Sequence, residues 1–358
     1  MQDKLSGKDK NSMTFMIGSR EVFIESGELV KTMDTGADAF TCTMPWQIGK
    51  DKELDKTTKP SSYTQCGVYI GNDLQDEMVI YGIENSTTIQ GTVKKLDCFS
   101  KTADIIDASL RYPFEQNNVT LLERIETHCK EFFIDGAPNQ SVVVDTGVDV
   151  GGKFQRVFGE PTSMEWDHLT KLASQRGLLL SCTKKGELLI TKARPDSIPV
   201  GTIEEKISNL ASEYSAKFNG RDRFYRYEAH VTSSKSSQSK FIQRTKDLSV
   251  KQPRFLTFSA DDNLPGEGMN AAEWRKNKSA ADAMSFDFPV NSWYAPNNTL
   301  WTPNSTVIIK SQTLNIENGF KFLITQVKFT LDNSGTHATL SIKPPSVYTG
   351  EPLEEPWR

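Results

Sequence analysis

The chain has 358 residues, 25% of them charged, and a formal net charge of -4. That length allows two or three domains with proper cores, so neither disulfides nor metals are required for stability. The acidic balance argues against an electrostatic nucleic-acid binder, which carries a basic face. Cys42, Cys66, Cys98, Cys129 and Cys182 are odd in number and scattered, with no CxxC pair. They read as reduced thiols serving as small core hydrophobes, not as a disulfide framework. The first ten residues contain no apolar h-region, and no window approaches the roughly 18 apolar residues of a membrane span. The expectation is a protein that is neither secreted by a signal peptide nor embedded in a membrane.

After about twelve polar residues, Thr14-Phe-Met-Ile17 and Glu21-Val-Phe-Ile24 read as paired strands and Ala39-Phe-Thr-Cys-Thr-Met44 as a third. Gly67-Val-Tyr-Ile70, Met78-Val-Ile-Tyr-Gly-Ile83 and Gly91-Thr-Val-Lys-Lys-Leu-Asp-Cys98 continue the block as half-buried hairpin strands. From Asn118 the period becomes helical, with Leu121, Leu122, Ile125 and Cys129 at spacings of three and four. Ser141-Val-Val-Val144 reads as a short strand. Residues 165–176 read as an amphipathic helix with Trp166, Leu169, Leu172 and Ala173 on one side, capped by Thr162 or Ser163. Residues 177–182 and 187–191 form a hairpin around a Lys-Lys-Gly turn. Strands resume at 214–218 and 225–231, the serine run 233–239 reads as a loop, and 254–258 reads as a strand. A helix is expected over 270–284, with a strand at 285–290. The prolines of 344–345 and of the last eight residues exclude a continuing helix or central strand.

The second hairpin block echoes the first. Thr306-Val-Ile-Ile-Lys310 precedes 322–331, a tip at Asp332-Asn-Ser-Gly335 and a return strand at 337–343. Two copies of one β-unit in a single chain suggest a structural ring.

Enzymatic motifs fail on inspection. Gly147-Val-Asp-Val-Gly-Gly152-Lys153 satisfies G-x-x-x-x-G-K, but Phe154 stands where a Mg²⁺-binding hydroxyl is needed, and Gly159 and Pro161 argue against a helix N-terminus after the loop. His128, His168, His230 and His337 lie in separate elements without zinc-ligand spacing, and there is no nucleophile elbow. Acidic pairs such as Glu115 with Glu123 are common at this composition. No catalytic, metal or cofactor residue is assigned.

Four stretches together carry a resemblance: Val79-Ile-Tyr-Gly82 leading to residues 100–109; Leu172-Ala-Ser-Gln-Arg-Gly177 with the hairpin at 186–193; the helix around Trp274 and Ala280–Ala283 with the β segment ending in Trp293; and Leu300-Trp301-Thr-Pro-Asn304 with 323–327 and 338–342. In order and spacing they resemble the central tail-hub proteins of Mu-like contractile-tailed bacteriophages, which are similar to the hub part of type VI secretion spikes. The turn at Cys98-Phe99-Ser100 departs from the family's Gly-Arg-Ser-like pattern.

The resemblance implies a mainly β fold with α+β parts: two small similar β-barrel domains plus mixed α/β segments, assembled as a trimeric ring. The boundaries that follow are a flexible N-terminus over 1–12, a first barrel over 13–110 and an α/β domain over 111–195. The second barrel takes 196–232 and 301–348, an inserted α/β segment packing with 111–195 takes 233–300, and the tail takes 349–358. It further implies a virion component made in the host cytoplasm, a homotrimer that joins tail tube to spike, contacts other baseplate components, and passes DNA without binding it specifically. An acidic lumen is expected from the net charge. Trp293, Trp301 and Asn304 are candidates for packing or assembly, since aromatics are enriched at interfaces. The alternative function is a tail-associated peptidoglycan hydrolase.

Overall fold

The computed structural model describes residues 8–88, 91–130, 132–134, 137–138, 141–207, 214–232, 240–261, 271–353 and 356. Part of the expected flexible N-terminus, the serine run 233–239 and part of the tail lie outside them.

The first β-unit contains β1 (Met13–Ile17), β2 (Arg20–Val22), β3 (Ser26–Thr32), β4 (Ala39–Pro45), the short helix α1 (Lys52–Thr57), β5 (Gln65–Ile70), β6 (Asp73–Thr88) and β7 (Gly91–Ser100), with α2 (Ala103–Ile106) after it. There follow β8 (Glu115–Val119), α3 (Leu121–Cys129), β9 (Phe133–Ile134), β10 (Ala137–Pro138), β11 (Val142–Val144), β12 (Phe154–Phe158), α4 (Glu165–Ser174), β13 (Leu179–Cys182) and β14 (Leu188–Thr191). The last part has β15 (Thr202–Glu204), β16 (Ser215–Phe218), β17 (Arg226–Thr232), β18 (Lys240–Lys246), β19 (Phe255–Asp261), α5 (Ala271–Asp282), β20 (Met284–Val290), β21 (Thr306–Ser311), β22 (Ile316–Asp332), β23 (Gly335–Lys343) and the one-turn α6 (Ser346–Thr349).

The fold is mainly β, but the two β-units do not close as separate barrels. They share one 13-stranded sheet in the order β16-β20-β23-β22-β3-β4-β7-β6-β5-β1-β2, with β21 on β22 and β15 on β21. The join is the antiparallel pairing of β22 with β3, from Gln326 opposite Thr32 to Leu331 opposite Gly27. Each unit alone would leave a row of unpaired amides and carbonyls at that edge, and the other unit's edge satisfies them. One hydrophobic core underlies the whole sheet, running from Phe15, Phe40 and Leu96 through Phe329 and Phe322 to Phe286. Cys42, Cys66 and Cys98 are buried within it.

The units match strand for strand. The order β3-β4-β7-β6-β5-β1 corresponds to β16-β20-β23-β22-β21-β15. The long hairpins carry a bulge at the same place, between Ile80 and Gly82 in β6 and between Ile324 and Gln326 in β22. Their strands end equivalently, with Thr88 opposite Gly91 and Asp332 opposite Gly335. The outermost strand differs, since β1 runs antiparallel to β5 while β15 runs parallel to β21.

The segment between the units builds a second core from Leu121, Ile125, Leu169, Leu172, Leu180, Leu188 and Ile190. α3 starts with a full capping box between Thr120 and Glu123. α4 buries Trp166, Leu169, Leu172 and Ala173 as its pattern predicts, but its N-cap is Met164. The Ser163 hydroxyl donates instead to the Glu160 carbonyl at 2.7 Å, which removes it from capping. β17 pairs with β18 and β19 in a separate three-stranded sheet backed by α5, whereas β20 joins the large sheet. Segment 196–232 and segment 233–300 thus each contribute strands to both layers. α6 follows directly on Pro344 and Pro345, where proline's fixed φ suits a helix start.

Candidate functional site

The three residues singled out from the sequence lie close together around the start of β21. Trp293 is fully buried, donates Nε1–H to the His337 carbonyl at 2.9 Å and meets Phe329 edge-on with ring centroids 6.3 Å apart. Trp301 is also buried and donates to the Ser292 carbonyl at 3.0 Å. Asn304 sits in the left-handed region at φ 64, a conformation its short polar side chain tolerates. Its Oδ1 accepts from the Arg194 amide at 2.9 Å and its Nδ2 donates to the Lys192 carbonyl at 2.9 Å. The two tryptophans thus pack inside the core, while the half-buried Asn304 ties the start of β21 to the 192–194 segment.

The loop Gly147–Lys153 is followed by β12, so a strand stands where a phosphate-binding helix N-terminus would have to begin. Arg176 fills the space around it, donating to the Gly152 carbonyl at 2.9 Å and stacking on Phe154 at 4.3 Å from the ring centroid.

Two buried polar clusters escaped the sequence reading. The first joins the large sheet to the small sheet of β13. Lys31 Nζ lies 2.9 Å from Asp38 Oδ2 and donates to the Gln75 carbonyl at 2.8 Å. Ser100 Oγ donates to Asp76 Oδ2 at 2.6 Å and lies 3.6 Å from Cys182 Sγ. Asp38, Asp76 and Cys182 have their ligand-type atoms within 4.8 Å of one another, a carboxylate and thiol set of the kind that holds a divalent cation. Here the Lys31 ammonium supplies the positive charge. Burial works against that ammonium, yet Asp38 and Asp76 hold its pKa above the ordinary value. Burial, then the Asp38 charge, pushes the Asp76 carboxyl well above the usual carboxylate range, and burial likewise raises the Cys182 thiol.

The second cluster ties α3 to α4. His128 Nδ1 is 2.8 Å from Glu165 Oε1, and the Arg124 guanidinium reaches His168 Nε2 at 3.1 Å, the Pro113 carbonyl at 2.6 Å and Gln116 Oε1 at 3.0 Å. Burial, then Arg124 and His128, lowers the His168 pKa to about 4, so its neutral ring accepts from Arg124 at pH 7. The group is closed to solvent and offers a substrate no approach.

What remains open is the sheet itself. β5 accompanies β6 as far as Val79; from Gly82 to Thr88, among the described residues, β6 pairs with β7 alone. β16 pairs with β20 alone, and among the described residues no strand lies on its other side. An apolar cavity of about 480 Å³ opens beside β16, lined by Ala216, Met284 and Leu314 among others. The face opposite the core carries Glu28, Glu84, Asp97 and Asp287 interspersed with Lys95, Lys217 and Lys328; Lys328 Nζ is 3.3 Å from Glu28. Exposed strand edges present unpaired amides and carbonyls that can template pairing with another strand.

Residues 265–351 match the model of the Mu phage baseplate assembly protein GpP, fourth domain. No curated protein matches the chain. Among solved structures, the 43 kDa tail protein of prophage MuSo2 from Shewanella oneidensis is 22% identical, with 94% of this chain and 98% of that chain covered and a TM-score of 0.72. The tail protein from Neisseria meningitidis MC58 is 17% identical, with 95% and 98% covered and a TM-score of 0.76. The E. coli c3393 protein, described as a type VI secretion component structurally similar to the T4 tail proteins gp27 and gp5, is 11% identical, with 96% and 78% covered and a TM-score of 0.58. At these identities the likeness is one of fold. Residues 265–351 thus resemble the fourth domain of the Mu phage baseplate assembly protein GpP, within a chain that has the fold of these tail proteins over nearly its whole length.

Proposed function

We propose that this chain is a structural virion protein, the central hub of a contractile phage or prophage tail baseplate. Three copies close a ring that joins the tail tube to the spike and leaves a passage for DNA. The observation that carries this reading is the duplicated strand unit fused side by side in one sheet. Three chains with two similar units each present a nearly sixfold face to the tube and a threefold face to the spike. Head-to-tail contacts close when the rotation per interface is right. The uncovered polar face would line the passage. Its charges alternate in sign, so the lining is mixed instead of strongly acidic, and it lacks the concentrated cations that neutralise phosphates. No helix among the described residues is long and apolar enough to cross a membrane.

The hydrolase alternative needs two carboxylates facing an open cleft. Glu115 is held by Arg156 through bonds of 2.9 and 3.0 Å, and Glu123 closes the capping box of α3. Asp38 and Asp76 are buried against Lys31. These roles favour scaffold over chemistry. The test is solution mass by light scattering after gel filtration. A concentration-independent mass of three times 40.1 kDa is expected; a monomer at all concentrations counts against self-assembly of the ring.

A further inference from the structure

The junction inside the chain is a template for the junction between chains. In β22, Lys328, Phe329 and Thr330 stand opposite Val30, Leu29 and Glu28 of β3. The matching bulges and hairpin ends make Lys328, Phe329 and Thr330 the counterparts of Glu84, Asn85 and Ser86 in β6. On the other side, Glu28, Leu29 and Val30 face Thr41, Phe40 and Ala39, as Ser215, Ala216 and Lys217 face Asp287, Phe286 and Ser285. Thr41 and Phe40 in turn stand to β7 as Asp287 and Phe286 stand to β23. β16 is therefore the second unit's β3. Within one chain, β22 has found its β3, while the equivalent stretch of β6 and the outer edge of β16 have no strand partner among the described residues.

We infer that β16 of one copy adds to the Gly82–Ser86 stretch of β6 in a second copy, antiparallel, with Glu84 opposite Lys217, Asn85 opposite Ala216 and Ser86 opposite Ser215. This rests on the ring proposed above and specifies its interface. Three features of the two stretches fit it. Glu84 and Lys217 are both exposed and opposite in charge, at the position where the internal junction sets Lys328 opposite Val30. Ile83 and Ala216 are half-buried at the margin of the common core, on the core side of the two edges. The one-position extension of the register sets Ile83 opposite Phe218, an apolar cross-strand pair of the kind that stabilises sheets. The second copy thus meets backbone edge, charge and apolar surface in one register, and repeating the same addition twice more leaves no free copy of this edge.

The test uses the full chain with Glu84→Cys and Lys217→Cys combined. Directly opposed residues lie about 4.5–5.5 Å apart at Cα, within disulfide reach. Mild oxidation is expected to convert the trimer into covalent species of up to three chains, while either single variant, or Asn85→Cys with Lys217→Cys, does not cross-link. Charge reversal is the second arm: Glu84→Lys or Lys217→Glu alone weakens association about tenfold, and the two together restore most of it. Circular dichroism and thermal unfolding of each variant verify the fold. A trimer that forms but is not linked by the 84/217 pair overturns this junction and leaves the hub ring standing. A wild-type chain that never associates overturns both.

Discussion

Replacing Trp293 with alanine is expected to cost about 3–5 kcal/mol of folding stability, the range for truncating a buried large aromatic. Its indole fills the space between β23 and the 292–301 turn, donates to the His337 carbonyl and packs edge-on against Phe329. The Trp301 amide donates to the Trp293 carbonyl at 3.1 Å, so loss of the indole also loosens the turn that holds Trp301. Truncation leaves a cavity in the common core and removes the hydrogen bond to the His337 carbonyl. Trp293→Phe keeps much of the packing and loses the hydrogen bond, and is expected to cost about half as much. Denaturant unfolding measures both. A loss below about 1 kcal/mol for Trp293→Ala would mean that the site is wet in solution and that the indole is available for contacts outside the chain.

A change of similar size is expected from Lys31→Met, which removes the only cation in direct contact with Asp38 among the described residues. Breaking a buried ion pair from one side costs about 3–5 kcal/mol, because the remaining charge stays desolvated. The pH dependence gives the effect its signature. Asp76 has a folded-state pKa above its unfolded one, so its protonated form contributes stability that is fully present below the ordinary carboxylate pKa and is lost as pH rises through the raised value. Removing Lys31 takes away the charge that opposes this rise. The variant's deficit is therefore expected to be largest at neutral and alkaline pH and to shrink toward pH 4. Asp76→Asn in the Lys31→Met background is expected to recover part of the loss at pH 8 and to flatten the profile. A deficit independent of pH would show that Lys31 acts through packing of its stem and not through charge.

The hairpins were legible because alternation over eight to ten residues with Asn, Asp and Gly at the tips is a local signal, and so was the echo between the two units. β3 was not. Ser26-Gly-Glu-Leu-Val-Lys-Thr32 carries a glycine, and its pairing with β22 lies some 300 residues away, beyond any local pattern. The glycine has its own cause: a Cβ at Gly27 would stand 2.8 Å from Met13 Sδ and 3.3 Å from the Phe40 ring. The resemblance implied two closed barrels; the pairing of β3 with β22, which no local pattern announces, merges them into one shared sheet. α1 was missed for a related reason: a six-residue helix capped by Asp51 has too few turns to show a period. The Lys31 cluster did leave a trace. Lys31 shares the phase of Leu29 in β3 and Asp76 that of Met78 and Ile80 in β6, so each places a charge where alternation calls for a hydrophobe. Cys182 and Asp38 come from separate segments and carried no such mark.

The hub claim is tested most directly by electron microscopy of the purified chain, as class averages viewed down the particle axis. Rings of three chains with six similar lobes around an open centre are expected. Particles with no central opening, or rings built from six chains instead of three, would contradict it.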